Sequence, residues 1–185
     1  MIDELIADAE RRMTKSVEST RQEFNTVRTG RASAALLDRV NVDYYGQATP
    51  VKQLATLNVP EPRMLTVQPF DSSSLEAIEK AILESDLGLM PANDGKLIRL
   101  PIPSLTEERR KELVRVVRQL AEDGRVSIRN VRRDVISDLK ELARDGDIGD
   151  DDERRAEERV QKLTDGFVAT VDGLLKKKEE EILEV

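Results

Sequence analysis

The chain has 185 residues, of which 36 % are charged and 3 % aromatic, with 37 acidic against 30 basic side chains and a net charge of −7. Cys, His and Trp are all absent. That excludes the usual zinc ligands, Cys nucleophiles and disulfides, a Ser–His–Asp triad, and tryptophan stacking on bases. The composition favours long helices with solvated faces, on a chain long enough for one large domain or two small ones.

The N-terminus, MIDELIADAERR, is acidic and amphipathic, unlike a signal or transit peptide. No apolar run reaches membrane-spanning length, so a soluble cytoplasmic protein with no membrane partner is expected. Ile2, Ile6, Ala9, Met13, Val17, Phe24 and Val27 recur at helical spacing, with Thr20 filling one position of the stripe. This predicts a first amphipathic helix, stopped at RTGRAS by Gly30.

Between Ala32 and Pro103 the texture changes, and all seven prolines and both tyrosines fall here. VNVDYYG alternates with period two and predicts a strand and turn; RMLTVQPF and KLIRLPIP predict two more strands. DSSSLEAIEKAILES predicts a short helix opened by a capping box of Ser73 and Glu76. The segment reads as a small α/β domain spanning residues 32–103.

From SLTEERRKEL the helical period returns. Glu107 and Glu108 suit a helix N-terminus. The apolar stripe runs through Leu113, Val117, Leu120, Ile128, Val131, Val135, Leu139 and Leu142. Gly124 occupies a stripe position, which points to close helix packing there, since glycine costs about 1 kcal/mol relative to alanine in a helix interior. Continued to Asp145, this helix spans roughly 60 Å at 1.5 Å per residue. After RDGDIGDDDE, Asp150 and Glu153 are expected to cap a third helix with stripe Val160, Leu163, Phe167, Val171, Leu174 and Ile182. Each long helix has one apolar face and needs partners. The expected fold is therefore α+β and mainly α. An antiparallel three-helix bundle is built from residues 1–29 and 106–185, and the α/β domain is inserted between its first two helices. The chain crosses between the two at Gly30–Arg31 and again at Ser104–Leu105, with Gly on one side and Pro on the other, as in a hinge.

Weak signals for other chemistry fail. GLMPANDGKL has the wrong glycine spacing for a phosphate loop and Leu97 where Ser or Thr is required. The GDIG stretch lies among aspartates that repel phosphate. The same loop has Asp150 and Ala156 where an EF-hand needs Gly and Glu. No catalytic, metal or cofactor site is expected.

The second helix segregates charge by sign. On an ideal helical projection, Lys111, Arg115, Arg118, Arg125, Arg129, Arg132, Arg133, Lys140 and Arg144 form one band, about 80° to 200° from the centre of the apolar stripe. Glu112, Asp123, Asp134, Asp138, Glu141 and Asp145 lie on the other flank, and only Glu122 interrupts the basic band. Two readings stand side by side here. The band is a solvated face paired with acidic flanks of neighbouring helices, or it is a rail for nucleic-acid phosphates, to which arginine's planar fork is suited. Arg28 and Arg31 extend the second reading. A helical adaptor that binds an acidic protein is a further alternative.

RTGRAS, YYGQATP, QLATLNVPEPR, SDLGL, LTEERRKEL, VSIRNVRRD and VQKLTD, in this order and over essentially the whole chain, resemble bacterial ribosome recycling factor. The resemblance implies an L-shaped, monomeric, non-catalytic translation factor. It would bind the post-termination ribosome and, with elongation factor G and its GTP hydrolysis, split it into subunits. The bundle would lie on large-subunit ribosomal RNA, and the inserted domain would reach towards the small subunit and the elongation factor. By matching motif, Arg132 is implied as the principal RNA contact, with Arg129, Arg28 and Arg31 in support. Arg133, Arg125 and Arg118 are RNA-binding candidates from the band. Gly30, Arg31, Ser104 and Leu105 are implied as the hinge.

Overall fold

The computed structural model describes residues 1–184 and divides the chain into two compact units. One comprises Met1–Arg28 and the chain from Glu107 onward; the other is Thr29–Thr106.

The first unit holds three long helices: α1 (Ile2–Asn25), α4 (Glu107–Arg144) and α5 (Asp150–Leu183), each packed on the other two. Their apolar stripes meet in a core of Ala9, Met13, Val17, Phe24, Leu113, Val117, Ile128, Val135, Leu139, Val160, Val171 and Ile182, all buried. Full burial of one such large aliphatic side chain contributes about 1.5–3 kcal/mol, and this burial orders helices whose other faces are charged. Side-chain pairs report the register set by this packing. Arg12–Asp134 and Ser16–Ser127 join α1 to α4, while Arg132–Gln161, Arg125–Asp172 and Arg118–Glu179 join α4 to α5. In both sets the numbers rise on one helix as they fall on the other, so α4 runs antiparallel to each neighbour.

Thr20 and Gly124 bring α1 and α4 into close contact. Thr20 is 4 % exposed and donates its hydroxyl to the Ser16 carbonyl at 2.9 Å. A Cβ on Gly124 would lie 2.3 Å from Thr20 Oγ1 and 3.3 Å from its Cβ and Cγ2. The glycine that weakens α4 locally is what lets the helices approach.

The helix ends differ from expectation. α1 stops at Asn25, capped by the Thr26 backbone, two residues before Val27. The N-cap of α5 is Gly149 and no side chain caps it. Asp150 and Glu153 instead lie inside the first turn with Asp151 and Asp152, where their charge suits the positive helix end. Along α5 the buried stripe also includes Ala156 and Thr164; Thr164 satisfies its hydroxyl on the Val160 carbonyl at 2.8 Å.

The second unit contains a hairpin of β1 (Asn41–Tyr44) and β2 (Gln47–Pro50), and an antiparallel four-stranded sheet ordered β3-β4-β6-β5. Its strands are β3 (Ala55–Glu61), β4 (Met64–Pro69), β5 (Ala92–Asn93) and β6 (Ile98–Pro101). α2 (Val51–Leu54) and α3 (Leu75–Leu83) complete it over a core that includes Leu37, Val42, Leu65, Ile78, Ile82, Ile98 and Leu100. Alternation exposed β1, β4 and β6 in the sequence. It missed β3, which lies at the sheet edge with Asn58–Glu61 largely exposed and tolerates Pro60 there. The expected Ser73–Glu76 capping box does not form. α3 starts at Leu75 after a 3₁₀ turn, Ser72–Ser74, and the Asp71 carboxylate caps that turn by accepting from the Ser73 amide at 3.0 Å.

Candidate nucleic-acid interface

The basic band of α4 faces α5, and the pairings divide it. Arg118 donates through Nε to Glu179 at 2.6 Å. Arg125 donates to Asp172 at 2.7 Å and to Glu122 at 3.0 Å, and its side chain is only 18 % exposed. Arg129 donates to Glu122 at 3.2 Å. Glu122, the one acid within the band, is therefore a hub for two arginines.

Burial works against the charge on Arg125, but Asp172 and Glu122 more than offset it and raise its pKa. The hydrogen bond from Arg125, followed by that from Arg129, holds the Glu122 carboxyl below its usual range. The Arg125–Glu122 and Arg129–Glu122 pairs thus persist at neutral pH and are lost only as pH falls through the depressed Glu122 value. Arg118, Arg125 and Arg129 thus each already have a carboxylate partner within the protein.

Arg132 and Arg133 differ. Arg132 is half-buried and donates through Nη1 to a neutral acceptor, Gln161 Oε1, at 3.1 Å. Arg133 is exposed and, among the described residues, has no charged or hydrogen-bonded partner. Further along the same helix, Lys140 and Arg144 are exposed as well. Among the described residues, the unpaired positive charges of the band are Arg133, Lys140 and Arg144 in the C-terminal half of α4 and Arg115 in its N-terminal half. On the other flank, Asp134 accepts from Arg12 of α1 at 2.7 Å, so α4 presents its acids to α1 and its bases to α5 and solvent. Arg28 is exposed at the close of the first unit, and Arg31 is exposed within the second. The structure therefore gathers Arg118, Arg125, Arg129, Arg132 and Arg133 on one helix.

A family model described as ribosome recycling factor matches residues 20–183. The chain belongs to the ribosome recycling factor family. It is 57 % identical over 180 residues to the ribosome-recycling factor of Rubrobacter xylanophilus, covering 97 % of each chain. It is 56 % identical over 185 residues to that of Halorhodospira halophila, covering 100 % of both. Among solved structures it matches a solution structure of the ribosome recycling factor with a TM-score of 0.74 at 43 % identity, covering 100 % of this chain and 98 % of the other. A second match, with a TM-score of 0.65 at 50 % identity and full coverage of both chains, is the T. thermophilus ribosome recycling factor, described with E. coli elongation factor G bound to the E. coli post-termination complex. The mainly helical α+β fold with its long packed helices is that of this recycling-factor family.

Sequence reasoning about the family motifs did not single out Gln161, Asp172 or Glu179. Their roles depend on the register between α4 and α5, which the helical period of either helix alone does not contain. The pairings yield a test. Arg125→Ala is expected to lower bundle stability by about 1 kcal/mol, the upper range for a partly exposed ion pair, visible as a lower melting temperature. Arg133→Ala should leave melting unchanged, and equal melting of the two variants would contradict the division of the band.

Proposed function

We propose that this chain acts as a ribosome recycling factor in the cytoplasm. It binds the post-termination ribosome and, with elongation factor G and GTP hydrolysis, splits it into subunits, freeing mRNA and tRNA for another round of translation. The reading rests on family membership across the chain, together with the uncompensated cationic segment of α4 at Arg132 and Arg133. The factor works by binding and displacement, and the hydrolysis belongs to the partner. The helical unit contacts large-subunit ribosomal RNA. Arg132 is the main anchor and Arg133 its neighbour; Arg129, Arg28 and Arg31 lend support, and Arg118 and Arg125 contribute chiefly to the fold. The inserted unit reaches the small subunit and the elongation factor. The protein acts as a monomer.

The two chain crossings serve as the hinge, at Gly30, Arg31, Ser104 and Leu105. Just inside them the backbone is pinned to the turn between β3 and β4: Ala32 N–H donates to the Pro62 carbonyl at 2.7 Å and Ile102 N–H to the Arg63 carbonyl at 2.8 Å. Bending is thereby confined to the few residues outside those bonds. Gly30 has φ +77°, and a Cβ there would sit 3.2 Å from Leu105 Cγ. Proline, with φ fixed near −65°, does not fit that backbone, so alanine is the better probe. It costs about 1–2 kcal/mol in the left-handed region and presses on Leu105. Gly30→Ala is expected to slow subunit splitting severalfold while large-subunit affinity stays within about twofold of the parent, a change too small to reflect a lost contact. An unchanged splitting rate removes Gly30 from the hinge.

The whole reading is tested by sedimenting the chain with purified large subunits at increasing salt. Binding that weakens steeply with salt is expected for a phosphate rail. Failure to co-sediment at low salt overturns the proposal.

A further inference from the structure

The contacts between α4 and α5 follow a seven-residue step that breaks at one place. Arg118 pairs with Glu179, and seven residues on, Arg125 pairs with Asp172, seven residues back along α5. The next step brings Arg132 opposite Asp165. Among the described residues that ion pair does not form. Gln161, one turn from Asp165 on α5, stands between them: its Nε2 donates to Asp165 Oδ1 at 2.8 Å, and its Oε1 accepts from Arg132 Nη1 at 3.1 Å. The two bonds fix the amide, because reversing it would set Nε2 against the guanidinium and leave two acceptors facing each other at Asp165.

We infer that Gln161, oriented by Asp165, is a positioning residue that holds Arg132 in place for RNA phosphate while keeping its charge from being neutralised by Asp165. This role for Gln161 rests on the proposed role of Arg132. A carboxylate partner would orient the guanidinium equally well, as at Arg118 and Arg125, but would occupy the donors and cancel the charge that a phosphate needs. With no partner, the long side chain would have to be immobilised on binding. A neutral amide oxygen takes one donor from one edge of the fork and leaves the others for a ligand. Asp165 is held one turn away by the amide hydrogens, a local Gln–Asp contact of the kind that also steadies an exposed helix. The same carboxylate that would quench Arg132 at its register position instead aims the residue that presents it.

The test uses the full chain and purified large ribosomal subunits, with affinity read across a salt series. Gln161 is exposed, so its substitutions should leave thermal melting nearly unchanged, and melts of every variant check this. Q161A is expected to weaken binding by about three- to tenfold, the range for losing one pre-ordered side chain, as Arg132 turns onto Asp165. Q161E puts a carboxylate directly on Arg132 and is expected to bind more weakly than Q161A. Adding D165N to Q161A removes the competing charge and is expected to recover much of the loss, which general damage to the bundle would not allow. In an R132A background, Q161A is expected to add nothing. A parent-like Q161A alongside a weakened R132A overturns the relay and leaves the phosphate rail intact. A parent-like R132A overturns both. A further loss on combining R132A with Q161A shows Gln161 acting on its own account, and also overturns the relay.

Discussion

Truncating Arg132 to alanine is expected to weaken binding to the large ribosomal subunit by about ten- to thirtyfold, the scale of an arginine hot spot in an interface. The slope of log affinity against log salt should fall by about one, as for the loss of one phosphate contact. The reason lies in the company each arginine keeps. Arg118, Arg125 and Arg129 already have carboxylates at 2.6, 2.7 and 3.2 Å, so a phosphate must compete with an existing anion. Arg132 has only an amide oxygen, and the phosphate meets a full, oriented charge. Helix content and melting should change little, because the side chain is half-buried and its one bond lies at the surface. Equal affinity of R132A and the parent at every salt concentration would remove Arg132 from the interface.

The second large effect concerns the fold beneath that surface. Gly124→Ala places a Cβ 2.3 Å from the Thr20 hydroxyl oxygen, and Thr20 is buried and β-branched, with little freedom to turn away. Overpacking of this kind costs about 1–3 kcal/mol, while alanine returns up to about 1 kcal/mol of helix propensity. The expected net loss is about 1–2 kcal/mol, or a melting temperature lowered by about 2–8 °C for a chain of this size. Thr20→Ala in the same chain removes the clashing oxygen and the Cγ2, leaving the Thr20 Cβ position at 3.3 Å. The double variant is thus expected to melt above G124A alone. If it melts no higher, the clash lies elsewhere and the close approach at Gly124 is not what fixes the α1–α4 spacing.

These two predictions sit at different distances from the sequence. Gly124 was legible from the period of α4 alone: a glycine on the buried stripe of an otherwise good helix marks a close neighbour, although the identity of Thr20 as that neighbour came from the packing. Arg132 was legible as one of nine bases in a band and through its motif. The sequence did not show that it differs from Arg125, seven residues earlier on the same face, because the difference is made on another helix. Local capping was also poorly legible. Asp71 does what Ser73 was expected to do, since the chain enters α3 through a 3₁₀ turn that begins earlier. β3 was missed because an edge strand carrying Pro60 needs neither alternation nor a full set of amide donors.

The long helices, their single apolar faces, the proline-rich insertion and the separation of charge by sign along α4 were all legible in the residue order. Each follows from spacing within one segment, where 3.6 residues per turn converts position directly into direction. Which of those charges are paired is set only by the packing of one helix on another. The antiparallel register of α4 against α5 sets Glu179 and Asp172 on Arg118 and Arg125 and then, one step further on, interposes Gln161 before Asp165 can reach Arg132. Electrostatic pairing depends on distances across helices, and those distances are fixed by how the buried side chains interlock.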